Sequence, residues 1–180
     1  ERTVPVRQLT SRNLNGICLF RAHRILPMLT GKTTALKILS AEHDATSGVG
    51  LVAGYDVSCE RVRVFERLAN CPQFDKIWPK LSVREHLTFF AMLKGISRSA
   101  ANAAARDIGS AVGLGADSVF NRAAGALSGG MRRRLSIAIA LVGAPSVFIL
   151  DEPTTGLDPS TRNSIWGLVN SFATDDRAII

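Results

Sequence analysis

The sequence is short of several features, and each shortage excludes a class of protein. Its three cysteines are odd in number and lack metal-site spacing, so neither a disulfide framework nor a structural zinc site is predicted and a reducing compartment is expected. Its longest apolar stretch, residues 135–150, is interrupted by Ser136, Gly143 and Pro145, so no bilayer-spanning helix is predicted. No low-complexity tract and no internal repeat are present, which argues against a disordered or a solenoid chain.

What remains is the composition of one globular domain: 180 residues, of which 46% are hydrophobic and 21% charged. The net charge of +7 raises the question of a polyanionic partner. The densest basic run is Arg132-Arg133-Arg134, and consecutive helical residues point about 100° apart. We therefore interpret this run as a solvated helix face, with a polyanion-binding patch as the alternative. The chain starts without Met and stops in a strand-like segment, so we expect a fragment of a longer protein.

Strand patterns alternate with helix patterns, which predicts an α/β fold with a mainly parallel sheet. Helices are predicted at 32–40, 58–68, 82–95 and 100–112 and after Ser128 and Asp158, and strands within 49–57 and at 69–72 and 147–150. The run 147–150 is apolar throughout, as in a central parallel strand. Residues of about 76–126 are rich in helix and poor in strand, so they are predicted to form a helical subdomain.

A possible phosphate site opens the first helix, at Gly31-Lys32-Thr33-Thr34. In a P-loop the lysine reaches the β and γ phosphates of a nucleotide, and the first threonine hydroxyl holds Mg²⁺. The full pattern has glycine where this chain has Leu26, and Leu29 replaces a small residue. Taken alone, the segment is better explained by a chance surface lysine.

Two carboxylates follow the apolar run 147–150, at the end of the strand where ligands bind in open α/β sheets. Asp151 suits a water-mediated contact to Mg²⁺, and Glu152 suits a general base that polarises an attacking water. The alternative is an acidic pair that caps the next turn.

Ser128, Gly129 and Gly130 lie at a predicted helix start, where backbone N–H groups can bind phosphate oxygens. The alternative is a capped helix after a glycine turn. Their position between the two preceding motifs favours the phosphate interpretation.

Together these motifs resemble the nucleotide-binding domain of ATP-binding cassette (ABC) proteins, and hence a P-loop NTPase. Residues 127–131 are similar to the family's LSGG signature, 147–152 to its Walker B motif, 155–158 to its D-loop and 71–75, with Gln73, to its Q-loop. The amino-acid sequences of residues 71–75 and 81–96 are similar to those of the lipid-exporting A subfamily. The resemblance implies a single cassette over residues 1–180, with 1–29 atypical for the family. Either the phosphate loop is impaired, or those first residues do not belong to the domain.

The resemblance also implies cofactors and partners. ATP and Mg²⁺ would lie between two cassettes arranged head to tail, the second in the same or another chain. The nucleotide-binding residues would be Thr30, Gly31, Lys32, Thr33, Thr34 and Gln73 with Ser128, Gly129, Gly130 and Asp158. Mg²⁺ would be held by Thr33, Gln73 and Asp151, and Glu152 and Gln73 would serve catalysis. Gln73 would couple the site to transmembrane domains.

The resemblance thus implies an ATPase that drives transmembrane transport at the cytoplasmic face of a membrane, with lipid as the expected class of substrate. No nucleic-acid partner is expected. Two alternatives stay open: a non-hydrolytic cassette that supports a partner cassette, and a soluble ABC ATPase acting on ribosomes or nucleic acid, which the basic pI near 10.0 mildly favours.

Overall fold

The computed structural model describes residues 32–174 and 177–180. Its helices and strands alternate along the chain, as the sequence predicts. The helices are α1 (Lys32–Leu39), α2 (Arg61–Arg67), α3 (Val83–Leu93), α4 (Arg98–Ala111), α5 (Asp117–Phe120), α6 (Gly129–Leu141) and α7 (Pro159–Ser171). The strands are β1 (Leu51–Val52), β2 (Tyr55–Asp56), β3 (Leu68–Cys71), β4 (Val147–Leu150) and β5 (Ala178–Ile179).

Strands β3, β4 and β5 form a parallel sheet with β4 in the centre. Phe148 and Ile149 of β4 are completely buried, which confirms the prediction of a central parallel strand. Strands β1 and β2 form a separate antiparallel hairpin. Its two-residue turn is Ala53-Gly54, with φ of +50° and +85°, as a type I′ turn requires.

Side-chain caps fix the starts of the helices that lead to the predicted site. Ser82 caps α3 through a reciprocal pair of hydrogen bonds with Glu85: its Oγ accepts from the Glu85 amide at 3.2 Å, and its amide donates to the Glu85 carboxylate at 2.7 Å. These bonds from Ser82 lower the pKa of Glu85. Asp158 caps α7 by accepting from the Thr161 amide at 2.9 Å, and Pro159 follows it.

The predicted helical subdomain is present as α3, α4 and α5 with a short 3₁₀ helix at Ala124–Ala126. One face of α4 is made of small residues, so α3 packs closely against it; these are Ala101, Ala105 and Gly109, all buried. The helix predicted at 100–112 occupies Arg98–Ala111, and the one predicted at 58–68 occupies Arg61–Arg67. Helices α1 to α7 include none long and apolar enough to cross a membrane within the described residues.

Helix α6 lies between this subdomain and the sheet. Leu135 and Ala138 pack into the core of α3 and α4, whereas Ile137 and Leu141 pack against β3, β4 and α7. The helix is therefore buried on nearly all sides over its second half, as its sequence predicts. Helix α6 is thus in contact with both the helical subdomain and the sheet.

Candidate nucleotide site

The carboxyl ends of β3 and β4 bring Gln73 and Glu152 together. The two strands pair in parallel with Cys71 opposite Leu150, and the Asp151 amide donates to the Cys71 carbonyl at 3.1 Å. Just beyond the strands, Nε2 of Gln73 donates to Oε2 of Glu152 at 3.2 Å. Two residues that the sequence placed in one site therefore lie in hydrogen-bond contact.

Glu152 is held at this edge in an unusual backbone conformation. Its φ is +45°, in the left-handed region, which costs a residue with a side chain about 1–2 kcal/mol. The turn that follows compensates, because Thr155 donates from Oγ1 to Oε2 of Glu152 at 2.9 Å and from its amide to the Glu152 carbonyl at 3.2 Å. The carboxylate remains exposed to solvent, where it can accept a proton from a water molecule.

Arg133 contradicts the interpretation of the basic run as a solvated helix face. Its side chain is only 5% exposed, and its guanidinium donates to the carbonyls of Pro153 and Pro72, each at 2.7 Å. It also forms an ion pair with Asp75 at 3.0 Å. Within this run Arg132 is exposed, whereas Arg134 is half-buried and donates a hydrogen bond to the Ser164 hydroxyl. Helical spacing could have indicated that Arg133 is buried, because it precedes the buried Ile137 by one turn on the same face of α6.

The start of α6 is open to a ligand. Ser128 caps the helix by accepting from the Met131 amide at 3.3 Å, and Ser128 and Gly129 are both exposed. A Cβ added to Gly129 would meet no atom within 4 Å, whereas one added to Gly130 would approach Cγ2 of Thr161 at 2.9 Å. Gly130 is therefore required by packing against α7, while the space above Gly129 is unused within the described chain.

Asp158 has a local structural role as the cap of α7. Hydrogen bonds from the Thr161 side chain and amide lower the pKa of its carboxyl group.

The predicted phosphate loop falls largely outside the described residues. Thr30 and Gly31 lie outside them, as do Leu26 and Leu29. Lys32 and Thr33 begin α1, and their side chains are likewise outside the description; Thr34 is exposed on the same helix. The contacts expected of these residues remain predictions.

The described residues fit Mg²⁺ and a nucleotide better than they fit a metal alone. Between residues 32 and 180, leaving out 175 and 176, no group of three or more His, Cys, Asp or Glu residues could hold an ion. Mg²⁺ is commonly bound by one or two carboxylates together with substrate phosphates. The half-buried Asp151 at the end of β4 supplies such a carboxylate, and the space above Gly129 can admit a phosphate oxygen.

A parallel sheet with these carboxylates at its carboxyl edge is the arrangement of a P-loop NTPase. Residues 30–155 match the sequence profile of the ABC transporter family, and the chain belongs to that family. This confirms the family resemblance and the fold class predicted from the sequence.

The relatives that the chain resembles are members of the A family. It is 41% identical over 140 residues to ABC transporter A family member 4 of Arabidopsis thaliana, covering 78% of this chain and 15% of that protein. It is 40% identical over 154 residues to Arabidopsis thaliana family member 7, covering 86% of this chain and 16% of that protein. It is 41% identical over 150 residues to the phospholipid-transporting ATPase ABCA3 of Homo sapiens, covering 83% of this chain and 9% of that protein. The chain thus spans a small part of the length of these relatives.

Proposed function

We propose that this chain is the ATP-hydrolysing cassette of a membrane transporter that moves lipid. The contact between Gln73 and Glu152 carries the proposal, because it places the proposed carboxylate base beside the loop after β3 at the carboxyl edge of the sheet. As one cassette, the domain would extend over residues 1–180, with 1–29 atypical for the family.

In this proposal Glu152 accepts a proton from the attacking water. Its carboxylate is exposed and oriented by Thr155 and Gln73, so a water bound to it is held at the sheet edge. Asp151 would bind Mg²⁺ through water, with Thr33 and Gln73 as further ligands. Bound Mg²⁺ would neutralise charge on the phosphates of ATP. Lys32 would bind those phosphates, with Thr30, Gly31 and Thr34 beside it.

A second cassette would complete the site. Ser128, Gly129 and Gly130 of one cassette would donate backbone and hydroxyl hydrogen bonds to the nucleotide of the other, near Asp158. The open space above Gly129 supports this arrangement, since the chain itself does not fill it. Donors fixed before the reaction stabilise charge that develops on the transferred phosphoryl group.

Contact with transmembrane domains would place the cassette at the cytoplasmic face of a membrane. Large apolar side chains are exposed close to Gln73 along the chain and on α3: Phe74 is 76% exposed, Trp78 47% and Phe89 40%. Trp78 and Phe89 also touch edge to face, with ring centroids 5.6 Å apart. Exposed apolar clusters of this kind mark protein contacts. The printed name of the human relative supports phospholipid as the cargo class.

The proposal is tested by Glu152→Gln in the full-length protein that contains this chain. We expect steady-state ATP hydrolysis to fall by about 10²–10⁴-fold, the usual contribution of a general base, with nucleotide binding retained. Asp107→Asn, on the exposed surface of α4, is the matched control and should hydrolyse ATP at the wild-type rate. Unchanged hydrolysis in Glu152→Gln would remove Glu152 from this role, and no hydrolysis by the wild type would favour the non-hydrolytic alternative.

A further inference from the structure

Arg133 connects three segments that are far apart in the sequence. From its position on α6, its guanidinium donates from Nε to the Pro153 carbonyl and from Nη1 to the Pro72 carbonyl, each at 2.7 Å. Nη1 also contacts the Asp75 carboxylate at 3.0 Å. One buried side chain thus joins α6, the loop after β3 and the loop after β4.

These contacts form a closed ring of bonded residues that runs from Arg133 through Gln73, Glu152 and Pro153 back to Arg133. Nη1 of Arg133 approaches the Gln73 carbonyl at 3.4 Å, while the Gln73 side chain donates to Glu152. The residue after Glu152 is Pro153, whose carbonyl accepts from Arg133. The backbones that carry the two members of the pair are therefore fixed to the same guanidinium.

Arginine suits this place better than lysine for a geometric reason. A guanidinium presents several N–H donors in a rigid plane, so it can serve both loops at once, whereas an ammonium is a single point donor. The charge of Arg133 is balanced by Asp75, its ion-pair partner at 3.0 Å. The neighbouring Cys71 thiol adds no negative charge, because burial raises its pKa to about 11. A buried charge without such partners would be costly.

We propose that Arg133 is a positioning residue that sets the geometry of the Gln73–Glu152 pair and makes it follow movements of α6. The inference rests on the proposed function for its catalytic consequence and on the observed contacts for its structural one. Ser128 and Gly129 lie at the start of the same helix. Phosphate binding at that end of α6 would then be transmitted through Arg133 to the hydrolytic pair of the same cassette.

The test compares Arg133→Lys with Arg132→Lys in the full-length protein. Arg132→Lys is the matched control, since the two arginines are neighbours on α6 and Arg132 is exposed. We expect Arg133→Lys to lower kcat for ATP hydrolysis by about tenfold to a hundredfold with KM nearly unchanged, because small misplacements of reacting groups reduce rate more than binding. Arg132→Lys should change neither value by more than about twofold.

Amide hydrogen exchange without nucleotide gives a measurement that does not depend on hydrolysis. The Trp78 amide donates to Nε2 of His86 at 2.9 Å and reports on the loop after β3. The Thr155 amide donates to the Glu152 carbonyl and reports on the loop after β4. Ala105, buried in α4, is the reference. We expect Arg133→Lys to speed exchange at Trp78 and Thr155 by about tenfold or more relative to Ala105.

Equal acceleration at all three amides would show a loss of global stability only and would overturn the proposal, as would wild-type exchange at Trp78 and Thr155. Selective acceleration in a protein whose wild type hydrolyses no ATP would support the positioning role and reject the proposed function. If Arg133→Lys does not fold, Asp75→Asn releases only one side of the ring. The proposal is supported if Asp75→Asn accelerates exchange of the Trp78 amide more than exchange of the Thr155 amide, each relative to wild type. An unchanged exchange rate at Trp78 overturns it.

Discussion

Gln73 donates to Glu152 across 3.2 Å, although the two residues are 79 positions apart in the chain. The intervening segment contains α3, α4, α5 and α6, so the whole helical subdomain is inserted between strands β3 and β4. The two strands are nevertheless paired in parallel along their full length. The contact therefore joins the segment that precedes the subdomain to the segment that follows it.

Gln73→Glu tests how close the two side chains remain during hydrolysis. It places a second carboxylate beside Glu152, and two carboxylates in contact cannot both ionise freely. We expect the acid limb of the pH profile of kcat to move to higher pH by about one unit or more. The measurement is steady-state ATP hydrolysis between about pH 5 and pH 9.

Gln73→Ala separates this charge effect from loss of the amide. It removes the hydrogen bond without adding charge, so its acid limb should stay at the wild-type pH while its rate falls. An identical profile for Gln73→Glu and Gln73→Ala would mean that the side chains separate before the reaction.

Local sequence signals predicted much of the fold and of the site. Ser128 and Asp158, after which the sequence predicts helices, are helix caps whose partners lie three residues away, so short-range chemistry identifies them. The carboxylates after β4 were found because an apolar run ends immediately before them.

Among contacts over long sequence distances, the sequence predicted only one whose two residues both lie in recognised motifs, that of Gln73 with Glu152. Arg133 meets Asp75, which is 58 positions away, and only the tertiary arrangement shows that this charge is buried. The left-handed backbone of Glu152 was also unforeseen, because non-glycine residues rarely adopt it.

Two glycine substitutions are expected to change stability in opposite directions. Gly167→Ala in α7 adds a methyl group that meets no atom within 4 Å, so higher helix propensity should stabilise the fold by about 1 kcal/mol. Gly109→Ala in α4 adds one that meets the ring of Phe120 at 3.0 Å. Phe120 is completely buried and Arg106 stacks on it, so the ring cannot yield and overpacking should cost about 1–3 kcal/mol.

Chemical denaturation of both variants measures the free energy of unfolding directly. If Gly109→Ala were as stable as Gly167→Ala, the packing of α4 on Phe120 would be looser than described.

Gly129→Ala should separate function from folding. The added methyl group has free space within the described chain, so the thermal midpoint should not fall. In the proposed sandwich that space belongs to the phosphates bound by the partner cassette. We therefore expect hydrolysis to fall by about a hundredfold, the scale of losing one charge-stabilising donor. Gly167→Ala is the control: this glycine is also exposed, and a methyl group added there also meets no atom within 4 Å, so the variant should hydrolyse ATP normally. Normal hydrolysis by Gly129→Ala would place the nucleotide elsewhere.

Association through ATP is the last expectation. In the proposed sandwich, one cassette carries its own carboxylates at the end of β4, and the start of its α6 contacts the nucleotide of the other cassette. A ligand that binds the paired cassettes more tightly than the separated ones promotes pairing. Blocking hydrolysis keeps that ligand, ATP, intact. Glu152→Gln should therefore raise the apparent mass of the cassette when Mg-ATP is added together with a matched second cassette.

Light scattering of Glu152→Gln with and without Mg-ATP measures this association. The double variant Gly129→Ala, Glu152→Gln is the control: it keeps the blocked base but fills the space that the partner's phosphates need, so its mass should stay monomeric in both conditions. Adding Mg-ADP instead should give little association, because the γ-phosphoryl group that both cassettes would contact is missing. Association without nucleotide, or equal association of the single and double variants, would contradict pairing through Gly129 and leave the exposed start of α6 without its proposed ligand.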